Sequence, residues 1–235
     1  MDAIPEGHLK LSVIIPCFNE ARHIVQVLDA VRQVDIQKEI IVVDDASTDR
    51  TRELLEEQKR LHPLVTCYKP VNEGKGAAIR TGLELVTGDI VIIQDADLEY
   101  DPGQFHELIG PIARGEAQAV YGSRFRGTIT GMRPANRLAN YVLTWVANLL
   151  YAARITDEAT CYKAFRTDLI RSLPLRCNRF EFCPEVTAKA LRAGHRIVET
   201  ELINYRPRTN KEGKKIRWTD GLEAIFTLVR YRFTR

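Results

Sequence analysis

The sequence predicts an α/β protein built on a mostly parallel sheet covered by helices, and three observations carry that expectation. Short β-branched runs alternate with amphipathic helical stretches over the first hundred residues. Three of those runs end in polar or acidic clusters: Phe18-Asn19-Glu20, Asp44-Asp45, and Asp95 to Glu99. No internal repeat, low-complexity tract or linker divides the 235 residues, so one domain with a C-terminal extension is the economical organisation.

Leu11 to Pro16 is an apolar run closed by proline. Asn19 then stands as a cap before a helical pattern through Ile24, Val27, Leu28 and Val31. Glu39 to Val43 reads as a second buried strand, followed by a helix carrying Leu54, Leu55 and Leu61. Val65 to Tyr68 is a short third strand. Gly74-Lys75-Gly76 opens a third helix, with Gly88 as its stop. Ile90 to Gln94 is the fourth strand, and Asp101-Pro102 starts a helix to about Arg114. Ala119 to Tyr121 leads into Gly122-Ser123-Arg124. A long helix spans Asn136 to Tyr151, and an alternating strand follows Asp157. The chain then reads as a helix over Glu185 to Ala193, a strand over Arg196 to Asn204, and a closing helix over Trp218 to Phe233.

The composition, 45% hydrophobic and 28% charged, is that of a water-exposed globular domain with a substantial core. No targeting segment is expected at the N-terminus, and no run is long enough to span a bilayer. Five cysteines without a CxxC pair argue against a zinc ribbon or disulfide framework and for a reducing, cytoplasmic setting. The net charge of +3 is uneven. From Asn204 onward nine basic residues face three acids, a segment of +6 that leaves the rest at −3. Such a tail suits phosphates or an anionic membrane surface, or is simply a solvated charged face. Nucleic acid is not the expected partner, because the basic residues lack interleaved aromatics for stacking.

The chemistry concentrates around Asp95, Asp97 and Glu99. Three acids leaving a buried strand are costly unless a cation meets them, and oxygen ligands suit Mg²⁺ or Mn²⁺. The competing reading is a strand-to-helix turn capped by Asp101. Ligands in parallel sheets bind beyond the carboxyl ends of the strands, and three polar clusters at three strand ends favour a metal or nucleotide crevice. Arg124 reaches the same edge, to grip a diphosphate or to pair with a carboxylate. On the helix over Asn136 to Tyr151, Leu138, Tyr141, Val142, Trp145 and Leu149 share one face. Asn136, Asn140, Thr144 and Asn148 make an opposite stripe without charge. That pattern fits a membrane-interface helix or a buried core helix.

The set Pro16-Cys17-Phe18-Asn19-Glu20, Val43-Asp44-Asp45, Asn72-Glu73-Gly74-Lys75-Gly76, Asp95-Ala96-Asp97-Leu98-Glu99 and Gly122-Ser123-Arg124 resembles the family 2 inverting glycosyltransferases of GT-A fold. Within that family it is similar to the polyprenyl-phosphate branch that includes the dolichyl-phosphate mannose synthases. The resemblance implies a GT-A domain over residues 1–205, with a basic loop and helix over 206–235 packing on it. It implies a nucleotide-sugar donor whose base and ribose lie against Pro16, Phe18, Glu20, Val43 and Asp45. Asp95, Ala96 and Asp97 would sit under the ribose and diphosphate, with Asp97 and Glu99 holding Mg²⁺ or Mn²⁺. Arg124, Arg208 and Lys214 would close over the phosphates from flexible loops. It further implies a metal-dependent hexosyltransferase that moves a sugar from GDP-mannose or UDP-glucose type donors to a polyprenyl phosphate while peripherally attached to a membrane. Asp157 is the one candidate acid beyond the nucleotide site, to serve as general base or to position the acceptor. A hydroxyl acceptor on a saccharide or protein, and a noncatalytic nucleotide-binding module, are the alternatives.

Overall fold

The computed structural model describes residues 4, 9–97, 99–202, 205–208 and 218–234. The hydrophobic runs form β1 (Leu11–Cys17), β2 (Lys38–Asp44), β3 (Val65–Tyr68), β4 (Ile90–Ile93), β5 (Ala119–Ser123), β6 (Lys163–Arg166) and β7 (Ile197–Glu201). The helices are α1 (Ile24–Gln33), α2 (Thr51–Leu61), α3 (Lys75–Leu85), α4 (Phe105–Ala113), α5 (Pro134–Tyr151), α6 (Thr167–Ser172), α7 (Phe182–Arg192) and α8 (Trp218–Phe233). The strands make one sheet in the order β3-β2-β1-β4-β6-β5-β7. Among them β6 runs against both neighbours, and the other pairings are parallel. The reversal matters for function. Parallel strands end at one rim of the sheet, whereas β6 begins there, so the segment before it (157–162) reaches the same rim.

Side chains on a strand alternate between faces, and the sheet is apolar on both. Leu11, Val13 and Ile15 pack with Val27 and Leu28 of α1, Leu55 of α2 and Leu108 of α4 on one face. Ile14, Ile41 and Val43 pack with Ile79 of α3, Leu143 of α5, Val186 of α7 and Leu228 of α8 on the other. Strand runs such as Ile40–Val43 are therefore continuously hydrophobic rather than alternating.

Some boundaries differ from expectation. Asn19 does not cap α1, which starts at Ile24. It adopts a left-handed φ of 52°, and its side-chain oxygen accepts from the backbone N–H of Thr48 at 2.8 Å and of Asp49 at 3.3 Å, joining the loops after β1 and β2. Gly88 does not stop α3, which ends at Leu85. A Cβ there would lie 2.5 Å from the Lys10 carbonyl, so glycine is required by close packing. α7 begins at Phe182 rather than Glu185, with Pro184 in the first turn, where a missing N–H leaves no bond unmade. The short α6 follows β6 and was not legible as a periodic segment. Asp101 does cap the turn at Pro102–Gln104, accepting from the Gly103 N–H at 2.8 Å.

At the rim opposite the site, Glu39 gathers the strand beginnings. Its carboxylate accepts from Ser12 Oγ at 2.5 Å, Thr87 Oγ1 at 2.6 Å, Thr87 N at 2.6 Å and Lys10 Nζ at 2.9 Å. Burial alone would raise its pKa, but these donors outweigh it and bring the carboxyl down to about 2. Because the folded-state value is depressed, the stabilisation is complete above the ordinary value of 4.5 and is lost as pH falls toward 2. Urea titrations between pH 7 and pH 2.5 are expected to show a steep acid loss of stability that is shallower in Glu39→Gln. Parallel curves for the two proteins would refute this.

Candidate active site

The ends of β1, β2 and β4 converge as the polar clusters required. Pro16 lies opposite Val43 in the β1–β2 register, and the Asp45 N–H donates to the Cys17 carbonyl at 2.8 Å. Phe18 follows half-buried, and Glu20 is buried. The Asp45 carboxylate accepts from the Glu73 N–H at 3.1 Å and the Gly74 N–H at 2.6 Å, so it fixes the loop that opens α3. Gly74 there has φ 102°, and a Cβ on it would meet the Asn178 carbonyl at 2.6 Å. This backbone approach places Lys75 in an ion pair with Asp95. Burial disfavours the Lys75 charge, yet Asp95 outweighs it and raises its pKa. Lys75 thus joins the candidate site through Asp95, a place that sequence reasoning did not give it. Its signal was a cation between two glycines at a helix start facing a strand-end acid.

Beyond Asp95 and the buried Ala96, Asp97 and Glu99 meet Arg208. The guanidinium grips Glu20 with two nitrogens, each at 2.8 Å, and lies 3.4 Å from Asp97. Its backbone N–H donates to Glu99. Expected to close over phosphates, Arg208 here sits on the carboxylates themselves. Lys214 and Leu98 lie outside the described residues. Burial, then repulsion from Asp95 and Glu99, pushes the Asp97 carboxyl up to about 7. Glu20, Asp95, Asp97 and Glu99 outnumber the Arg208 and Lys75 that pair with them, and an oxygen-ligated divalent cation fits that excess. Among the described residues no three His, Cys, Asp or Glu side chains are gathered to chelate a metal unaided. A cation at Asp97 and Glu99 would complete its shell from diphosphate oxygens and water, as suits Mg²⁺ or Mn²⁺.

Arg124 pairs with a carboxylate, but with Asp157 rather than with the acids after β4. Arg124 does not lie on a loose flap. It is buried, with Nε at 2.7 Å from Asp157 Oδ2, Nη2 at 2.7 Å from Oδ1, and its backbone N–H at 3.0 Å from Oδ2. Asp157 is wholly buried and accepts three hydrogen bonds, so it is not placed to draw a proton from an acceptor. The acid pairs with the arginine, and the loop before the reversed β6 is what brings it there. Removing one member of a buried pair leaves an uncompensated charge. Asp157→Ala is accordingly expected to lower unfolding free energy by about 3–5 kcal/mol. A loss below about 1 kcal/mol in urea unfolding would contradict the pairing.

The two stripes of the long helix α5 face opposite ways. Its uncharged polar stripe faces inward: Thr144 Oγ1 accepts from the Glu158 N–H at 3.0 Å, and Asn148 exchanges two hydrogen bonds with the Ile155 backbone. The apolar stripe faces outward, with Leu138, Trp145 and Leu149 each about two-thirds exposed. Beside it α8, joined by a Tyr151 hydroxyl to Leu228 carbonyl bond of 2.6 Å, exposes Leu222, Phe226 and Phe233. Phe125, next to Arg124, stacks on Tyr141 of α5 at 4.4 Å, so this face begins beside the site. Among the described residues no helix is long and apolar enough to cross a membrane.

A mostly parallel sheet covered by helices, with carboxylates converging beyond its strand ends, is an α/β fold of the GT-A type. The chain belongs to glycosyltransferase family 2: the pattern of Glycosyl transferase family 2 matches residues 12–173. It is 30% identical over 205 residues to the low-salt glycan biosynthesis hexosyltransferase Agl6 of Haloferax volcanii, covering 84% of this chain and 48% of that protein. It is 26% identical over 232 residues to a dolichol-phosphate mannosyltransferase of Pyrococcus furiosus, covering 95% and 64%. Against an undecaprenyl-phosphate 4-deoxy-4-formamido-L-arabinose transferase of Pseudomonas fluorescens the figures are 30% over 183 residues, covering 74% and 52%. The chain thus spans about half to two-thirds of the length of these three relatives. Its fold matches glucosyl-3-phosphoglycerate synthase from Mycobacterium tuberculosis, solved with Mn²⁺, UDP and glucosyl-3-phosphoglycerate. That match has a TM-score of 0.73 at 23% identity and covers 97% of this chain and 81% of that one.

Proposed function

We propose that this glycosyltransferase moves a hexose from a GDP- or UDP-linked donor to a polyprenyl phosphate, inverting the anomeric centre, at a membrane surface it binds peripherally. The observation that carries the reading is the joining of the strand-end carboxylate site, through Phe125 and Tyr141, to the outward apolar face of α5 and α8. A lipid-borne acceptor needs such an approach, and relatives named for dolichol phosphate and undecaprenyl phosphate support it. Pro16, Phe18, Glu20, Val43 and Asp45 form the base and ribose side, and Asp95 to Asp97 underlie the diphosphate. Asp97 and Glu99 would hold Mg²⁺ or Mn²⁺, which supplies charge neutralisation on the departing diphosphate.

An acceptor phosphate oxygen is already anionic. It attacks the anomeric carbon while the bond to the diphosphate oxygen breaks, and no general base is needed, in keeping with the buried state of Asp157. The deciding experiment offers radiolabelled UDP-glucose or GDP-mannose with Mn²⁺ to the full chain, together with undecaprenyl phosphate in vesicles or 3-phosphoglycerate in solution. Label in the lipid fraction supports the proposal. Label only in the soluble phosphate ester would favour an acceptor of the kind named for the M. tuberculosis enzyme.

A further inference from the structure

Outside the donor crevice, Glu199 on β7 is half-buried and makes an unusual number of bonds to one short turn. Its carboxylate accepts from the Thr156 N–H at 2.8 and 2.9 Å, from Thr156 Oγ1 at 2.9 Å and from the Asp157 N–H at 3.0 Å. On its other side Thr156 Oγ1 lies 2.6 Å from Ser123 Oγ, at the end of β5. The turn is thereby tied to two strands. Its next residue, Asp157, presents both oxygens to Arg124. The Arg124 guanidinium in turn lies 5.2 Å from the centre of the Tyr205 ring, whose hydroxyl donates to Glu99 Oε2 at 3.3 Å. Tyr205 is buried and also packs on Tyr100 at 5.2 Å.

We infer that Glu199 is a positioning residue: it holds the Thr156–Asp157 turn so that Asp157 fixes Arg124, and Arg124 in turn fixes Tyr205 against Glu99. The inference rests on the reading of Glu99 as a metal-holding group. A forked guanidinium needs both carboxylate oxygens in one plane, so the backbone that carries Asp157 must be set to within a fraction of an ångström. Isolated N–H donors on a strand-edge turn would not achieve this; a single acceptor shared by two consecutive N–H groups and a hydroxyl does. Groups one step removed from a metal ligand commonly change affinity or activity by about 10- to 100-fold when altered, because they orient the ligand.

The test compares wild type, Glu199→Ala and Glu199→Gln. ¹⁵N NMR follows exchange of the Arg124 Nε–H in ligand-free protein, and thermal shift gives the Mn²⁺ concentration for half-maximal stabilisation with UDP or GDP. Glu199→Ala is expected to speed Nε–H exchange about tenfold and to raise the half-maximal Mn²⁺ concentration by a similar factor. Glu199→Gln, which keeps one acceptor oxygen, falls between and keeps the comparison readable if the alanine variant does not fold. A purely structural role would lower the melting temperature without moving either readout. Unchanged Nε–H exchange, or faster exchange with an unaltered Mn²⁺ response, overturns the inference. If the wild type shows no nucleotide-dependent Mn²⁺ response at all, the metal-holding reading of Glu99 falls, and the exchange rates still decide whether Glu199 holds Arg124.

Discussion

Asp97→Asn is expected to make the protein more stable and inactive at once. Burial and the neighbouring acids raise the Asp97 carboxyl to about 7 from an ordinary 3.8. With a raised value the sign is the reverse of that for Glu39: the folded state is favoured below the ordinary value and loses stability as pH rises through about 7. A neutral amide removes that penalty, so at pH 8 the ligand-free melting temperature should rise by about 2–4 °C. The same change deletes a charged oxygen from the proposed cation seat. Turnover of a nucleotide sugar should fall by about 10²–10³, and stabilisation by UDP or GDP should cease to depend on Mn²⁺. Equal Mn²⁺-dependent stabilisation in mutant and wild type would refute the assignment of Asp97.

The second large effect concerns the outward face of α5 and α8. Trp145 is 64% exposed and Phe226 66% exposed. Neither contributes much to the core, so Trp145→Glu with Phe226→Glu should leave the melting temperature within a degree or two. A large apolar side chain entering an acyl boundary contributes about 1.5–3 kcal/mol, and an anionic surface repels the new carboxylates. Binding to vesicles of anionic lipid should therefore weaken by at least about 100-fold. Transfer to a lipid phosphate should fall with it, while hydrolysis of the donor in solution is preserved. Unchanged vesicle co-sedimentation would remove the membrane from the account and leave this face to another partner.

Much of this arrangement was legible in the amino-acid order, and the exceptions have physical causes. Strands buried on both faces announce themselves as runs such as Ile40–Val43 and Ile90–Ile93, so the parallel core was readable. Polar clusters after such runs must meet at one rim, which placed Glu20, Asp45 and Asp95 to Glu99 together. What one-dimensional order does not carry is which way an amphipathic helix turns. The uncharged stripe of α5 lacks lysine and glutamate because it hydrogen-bonds to Glu158 and Ile155 inside the protein, while its apolar stripe is left outside. Partner choice was equally hidden. Arg124 and Asp157 are 33 residues apart and meet only because β6 is reversed, and Glu199 reaches their turn from an edge strand with no local motif to mark it.

The seat of Arg208 has a consequence for how the crevice receives an anion. A nucleoside diphosphate approaching Glu20, Asp97 and Glu99 with nothing between them would meet like charge. Arg208 acts as a built-in counter-ion, tethered to the chain and resting on Glu20 and Asp97. In the proposed site a divalent ion would compete with this guanidinium for Asp97 Oδ2, its contact at 3.4 Å, so loading would be in part an exchange of one cation for another. Apparent donor affinity would then include the work of that exchange and fall below what the contacts of the loaded site alone would give.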